Sequence, residues 1–153
     1  MPRLGRCIEK CLFNLIEYYV GNDKIFIFKK EYIYNFRKLN HDEQLEILKF
    51  LIKNGFTFES QKYKNKALKF YTRLQNLDAL KFLIENCIII DQNDEFCLSY
   101  ADKKGNFEMY KFFIDQGAQM TRKCNNILFT AIDQNNYDQV VYLINLGIII
   151  LVS

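Results

Sequence analysis

The chain has 153 residues, half of them apolar and 16% aromatic, enough for one packed domain or a short repeat array and too apolar for intrinsic disorder. A single proline, at position 2, and six glycines leave too few turn residues for an all-β sandwich, so the composition reads as mostly helical. The formal charge of +3 is mild and does not by itself direct the chain to nucleic acid.

From the N-terminus, Arg6 to Val20 carries an amphipathic helical pattern (Ile8, Leu12, Leu15, Ile16, Tyr19) closed by Gly21-Asn22-Asp23. Asn14 and Glu17 interrupt its apolar run, so a secretory signal is not expected. Lys24 to Phe28 alternates weakly, and residues 1–30 read as a degenerate N-terminal cap. Glu31 to Leu39 is expected to be the first helix of a repeat that ends at Gly55.

Self-similarity dominates the rest of the chain. Three segments align without gaps at a spacing of 30 residues, marked by Leu68, Leu98 and Leu128 and again by Asn76, Asn106 and Asn136. A fourth copy lies upstream. Leu48-Lys49-Phe50-Leu51-Ile52-Lys53-Asn54-Gly55 matches Leu80-Lys81-Phe82-Leu83-Ile84-Glu85-Asn86-Cys87 at a spacing of 32, with five of eight residues identical. Each unit reads as two short helices. In the third, Leu98 and Ala101 share a face, Asp94 is placed to cap the first helix, and Gly105-Asn106 breaks the chain because both residues tolerate positive φ. A second helix turns Met109, Phe112 and Phe113 inward and stops at Gly117. The fourth unit uses Asn135-Asn136 as the break and Gly147 as the stop. Helices this short are not stable alone, so their apolar stripes must be buried against neighbouring pairs.

The pattern Leu98-x-x-Ala101-x-x-x-Gly105-Asn106-x-Glu108-x-x-x-x-Phe113-x-x-x-Gly117-Ala118 resembles the ankyrin repeat, over about Phe36 to Ile148. Only the leucine of that family's usual T-P-L-H start survives, at Leu98 and Leu128. The repeat is also shorter than the usual ~33 residues, with the shortfall between Gly117 and Leu128. The resemblance implies an all-α solenoid of antiparallel helix pairs with short or missing β-turn fingers. The units are residues 31–57, 64–88, 94–119 and 124–149, followed by a tail at 150–153, within one domain spanning 1–153. Short repeats rich in Asn, Ile and Lys look like those of amoeba-infecting giant viruses and AT-rich protists.

Catalysis finds no support. The sole histidine, His41, precedes Asp42-Glu43 at a helix entry and reads as a surface residue. No glycine loop for phosphate is present, and no cofactor is expected. Cys7 and Cys11 would share a helix face, yet zinc wants four ligands, so no metal site is assigned. The five cysteines, odd in number and without a C-x-x-C pair, read as reduced thiols in a cytosolic or nuclear protein; the compartment expected is the cytoplasm, a host cell's if the source is viral.

The basic stretch Lys62, Lys64, Lys66, Lys69 and Arg73, interleaved with Tyr63, Phe70 and Tyr71, is the one feature suited to nucleic acid or an acidic partner. The favoured reading is a non-catalytic protein-binding scaffold. Its resemblance places the partner on the concave face and loop tips, where Phe70, Arg73, Tyr100, Lys103, Lys104, Thr130 and Asp133 are expected. The partner is expected to be a protein, with no membrane and no nucleic acid, bound by a monomer. The apolar Ile148 to Val152 is expected to dock partly over the last helix pair.

Overall fold

The computed structural model describes residues 37–53, 58, 61–86, 88–91, 95–120 and 125–148. The chain divides into two compact units, Met1–Thr57 and Phe58–Ser153. Among the described residues there are seven helices and no strand.

In the first unit, α1 spans His41–Lys53. It begins with a reciprocal cap: the Glu43 backbone N–H donates to Asn40 Oδ1, and the Asn40 N–H donates to Glu43 Oε2, both at 2.9 Å. Two donors of the first turn are thereby satisfied. Gln44, Ile47, Leu48 and Leu51 form its buried stripe at helical spacing. The Gln44 amide donates to the Leu39 carbonyl at 3.1 Å, which makes its burial tolerable. Arg37 to Leu39 form a turn, so the helix expected to reach Leu39 does not extend that far. His41 is the exposed first residue of α1.

The second unit holds three helix pairs. They are α2 (Gln61–Leu74) with α3 (Leu77–Glu85), α4 (Phe96–Lys104) with α5 (Phe107–Asp115), and α6 (Asn126–Asp133) with α7 (Tyr137–Asn145). Each first helix packs on its own second helix, and α4 also packs on both α2 and α6, so α2, α4 and α6 form a row. Leu68, Leu98 and Leu128 are all buried, and so are Leu83, Phe113 and Leu143 on the second helices. The 30-residue register is therefore a packing register.

The turn between paired helices is the same three times. Gln75, Gly105 and Asn135 take the left-handed conformation, with φ of 55°, 63° and 54°. The next residue then caps the second helix. The side-chain oxygens of Asn76, Asn106 and Asn136 accept from the N–H groups of Ala79, Met109 and Gln139 at 3.0, 3.1 and 3.2 Å. Gly105 and Asn106 both tolerate positive φ at the break. Only the first adopts it, because an N-cap asparagine needs a near-extended backbone to reach back over its own helix.

First helices are capped differently. Asp94, expected to cap α4, lies outside the described residues, and Glu95 makes no side-chain cap. Asn125 makes none for α6 either. Instead Asp102, buried in the preceding pair, accepts from the Ile127 N–H at 2.9 Å. At the same register one pair earlier, the Thr72 hydroxyl lies 3.4 Å from Cys97 Sγ and also donates to the Leu68 carbonyl at 2.7 Å. Cys97 is buried and in no disulfide; Cys7, Cys11, Cys87 and Cys124 lie outside the described residues. So do Asn54 to Thr57 and parts of both connectors where fingers would stand, residues 92–94 and 121–124. Ile148 is buried, and the tail beyond it lies outside the described residues.

Candidate partner-binding surface

The row of first helices brings together side chains that are far apart in sequence. Lys69 and Arg73, four apart, share one face of α2, and Phe96, Tyr100 and Lys104 repeat that spacing on α4. The Arg73 guanidinium lies 4.8 Å from the Phe96 ring centre and the Lys69 ammonium 5.4 Å from it. Phe96 stacks on Tyr100 with centroids 5.8 Å apart and planes 24° from parallel. Lys104 lies 5.7 Å from the Tyr100 ring. Each cation over a ring contributes about 0.5–1 kcal/mol at an exposed site, so the ladder is ordered but remains at the surface. The Tyr100 hydroxyl also donates to the Arg73 carbonyl at 3.5 Å, at the end of α2 where the last carbonyls lack helical donors.

Of the residues expected on this surface, Arg73, Tyr100 and Lys104 meet in the ladder, and Lys103 stands exposed beside Lys104. Phe70 does not. It is only 7% exposed and packs edge-on against Tyr71, because it lies one position off the face shared by Lys69 and Arg73 and points into the core. Thr130 is half-buried and serves packing: its hydroxyl donates to the Asn126 carbonyl, and its side chain occupies the space a Cβ on Gly105 would need. Asp133 is exposed at the end of α6, apart from the ladder.

Phe96 was missed in the sequence because it falls where the resembled motif has a different residue. Its spacing of four from Tyr100 was the available signal. Among the described aromatics interleaved with the basic stretch, no ring is open for a stacking base. Phe70 and Tyr71 are buried, and the Tyr63 side chain lies outside the described residues. Burial raises the Tyr71 pKa well above the usual phenol range by desolvating the phenolate.

The charge of the second unit is divided between helix sets. Of the first helices, α6 carries no cation and ends on the exposed Asp133, whereas α2 and α4 carry Lys62, Lys64, Lys66, Lys69, Arg73, Lys103 and Lys104, none of them buried. Their one acid, Asp102, is buried and turned toward α6. The second helices α3, α5 and α7 carry Asp78, Glu85, Glu108, Asp115 and Asp138 against only Lys81 and Lys111.

A family profile described as ankyrin repeats, in three copies, matches residues 38–124, more than half of the chain. The chain belongs to the ankyrin repeat family. The all-α helical-repeat architecture expected from the sequence is the one found, and ankyrin repeats generally mediate protein–protein interaction. No curated protein and no solved structure matches this ankyrin-repeat chain. Among the described residues, no helix is long and apolar enough to cross a membrane.

Proposed function

We propose that this ankyrin-repeat chain is a non-catalytic scaffold that holds a protein partner against its first helices. The observation that carries the reading is the ladder of Lys69, Arg73, Phe96, Tyr100 and Lys104 across α2 and α4, with Lys103 beside it. Tyrosine and arginine dominate protein hot spots, and a pre-stacked tyrosine loses little rotamer freedom on binding. Thr130 and Asp133 extend the proposed contact toward α6, whereas buried Phe70 supports the surface from beneath. The family match runs without a break across residues 57 and 58, which supports treating 1–153 as one repeat-bearing domain. A reduced thiol at buried Cys97 suits the cytoplasm, where we place the protein.

The test is affinity capture with the full chain, followed by the variants Tyr100→Ala and Arg73→Ala. Both are expected to weaken the captured complex at least tenfold while the thermal midpoint stays near that of the parent. Undiminished binding by both variants would remove the first helices as the contact surface.

A further inference from the structure

The formal charge of +3 conceals a separation that only the fold makes visible. Seven cations project from α2 and α4 with no exposed acid on either helix, while the second helices are net acidic. This distribution does not serve the helices themselves. Lys62 and Lys64 sit in the first turn of α2, where the helix dipole presents partial positive charge and acids are favoured. Lys62 and Lys66, Lys66 and Lys69, and Lys69 and Arg73 are like-charged neighbours at spacings of four, three and four, each of which opposes helix formation. The second helices show the ordinary arrangement, with Asp78, Glu108 and Asp138 in their first turns. One helix set thus follows the dipole rule and the other, at α2, breaks it.

We infer that the first-helix row binds an acidic peptide segment of its partner, with carboxylates set against Lys69, Arg73, Lys103 and Lys104. The inference rests on the protein-binding reading above and names the chemistry of that partner. Arg73 offers a planar fork suited to a carboxylate. The rings of Phe96 and Tyr100 fix the cations above them, so the positive groups are held in place before the partner arrives. Nucleic acid fits less well, because a single strand binds by stacking bases on open aromatic faces. Here Lys69, Arg73 and Lys104 occupy positions over those faces.

The experiment uses the full chain and three fluorescent probes: a decaglutamate peptide, a decaglutamine peptide and a ten-nucleotide thymidine strand, titrated by anisotropy. Saturable binding of decaglutamate alone, weakening with added salt, is the expected result. The pair Arg73→Glu with Lys104→Glu should weaken it at least tenfold. The pair Lys81→Glu with Lys111→Glu, which changes net charge equally on the second helices, should leave affinity within twofold. The neutral pair Arg73→Gln with Lys104→Gln, with circular dichroism on every variant, guards against a folding defect and should also weaken binding. Equal weakening by both reversal pairs, tighter binding of the thymidine strand, or no decaglutamate binding overturns the inference. A partner cross-linked through position 100 by a segment without acidic residues overturns it too, while leaving the protein-binding reading intact.

Discussion

Asp102 occupies a position where a carboxylate has two opposed consequences. Its oxygen satisfies the buried Ile127 N–H across the junction between helix pairs, yet burial desolvates its charge. Desolvation outweighs the hydrogen bonds from Ile127 and Asn126, and the Asp102 pKa lies above the usual carboxylate value. The folded chain therefore holds this proton more readily than the unfolded chain does. The stabilising contribution is complete below the ordinary carboxylate pKa and is lost as pH rises through the raised one. Asp102→Asn keeps an acceptor and removes the buried charge. It is expected to be at least as stable as the parent at pH 7, with that advantage shrinking on acidification. Asp102→Ala leaves the Ile127 N–H without its acceptor and is expected to cost about 1–3 kcal/mol. Denaturant titrations of both variants at pH 7 and pH 4 check the pair; equal losses would show that the hydrogen bond is unimportant. Gly105 is the second residue with a defined burden. Its φ of +63° and the Thr130 atoms 2.9 Å from a notional Cβ make Gly105→Ala unfavourable twice over. The backbone contribution alone is about 1–2 kcal/mol, read as a lowered denaturation midpoint.

At the scale of helices, the repeated asparagines separate two sources of order. Asn76, Asn106 and Asn136 cap the second helices from within their own pair, so their signal is local and the sequence displays it at a fixed spacing. Replacing each by alanine is expected to cost about 0.5–2 kcal/mol. Asn76→Ala should be the most damaging, since Asn76 is fully buried whereas Asn136 is partly solvated. Chemical denaturation of the three variants gives the ranking, and a largest loss at Asn136 would contradict it. Among the described residues, Glu95 and Asn125 make no side-chain cap for α4 and α6, and α6 receives its partner for Ile127 from Asp102, 25 residues earlier. No pattern confined to the helix start could have announced that donor–acceptor pair. Asn40 and Glu43 at α1, by contrast, carry a local capping signature at a spacing of three, visible in the sequence.

For the second unit as a whole, position in the stack decides what a given residue does. Leu98 packs between pairs on either side and Leu128 has a described neighbour on one side only. Leu98→Ala and Leu128→Ala should each cost about 2–5 kcal/mol, with the larger loss at Leu98 because repeats support their neighbours. Equal, negligible losses would mean the packing register is wrong. The last pair also departs from the others in chemistry. Phe129, Ile132 and Val141 stand where the preceding pairs carry Lys69 and Ser99, Thr72 and Asp102, and Lys81 and Lys111. In those pairs Lys69 lies over Phe96, Thr72 contacts Cys97, Phe107 packs on Tyr142 and Lys111 lies over Tyr142, all in the next pair. At the end of the described stack Ile132 is 41% exposed and Tyr137, the counterpart of Phe107, is 78% exposed. Ile132→Asp with Val141→Lys restores the interior residues. It is expected to leave stability within about 0.5 kcal/mol and to lower light scattering at high concentration; unchanged scattering would show that this face does not drive association.

The helix pairs, their 30-residue register, the buried leucines and the breaks at Gly105 and Asn135 were determined by the sequence alone. The pairs and breaks depend on residues within one or two turns of one another, and the register on a repetition visible along the chain. The ladder was legible only in part. Arg73, Tyr100 and Lys104 followed from helical spacing, but Phe96 acquires its role by lying under cations that precede it by more than twenty residues. Phe70, one residue from Lys69, was lost to the core because a helix turns by about 100° per residue and neighbours in sequence face different surroundings. The tertiary structure alone decided that Asp102 is an inter-repeat cap and that, in the second unit, the cations of α2 and α4 stand side by side while the second helices are net acidic. Both arise when stacking brings equivalent positions of successive pairs side by side, and that adjacency is a property of the packed array rather than of any segment within it.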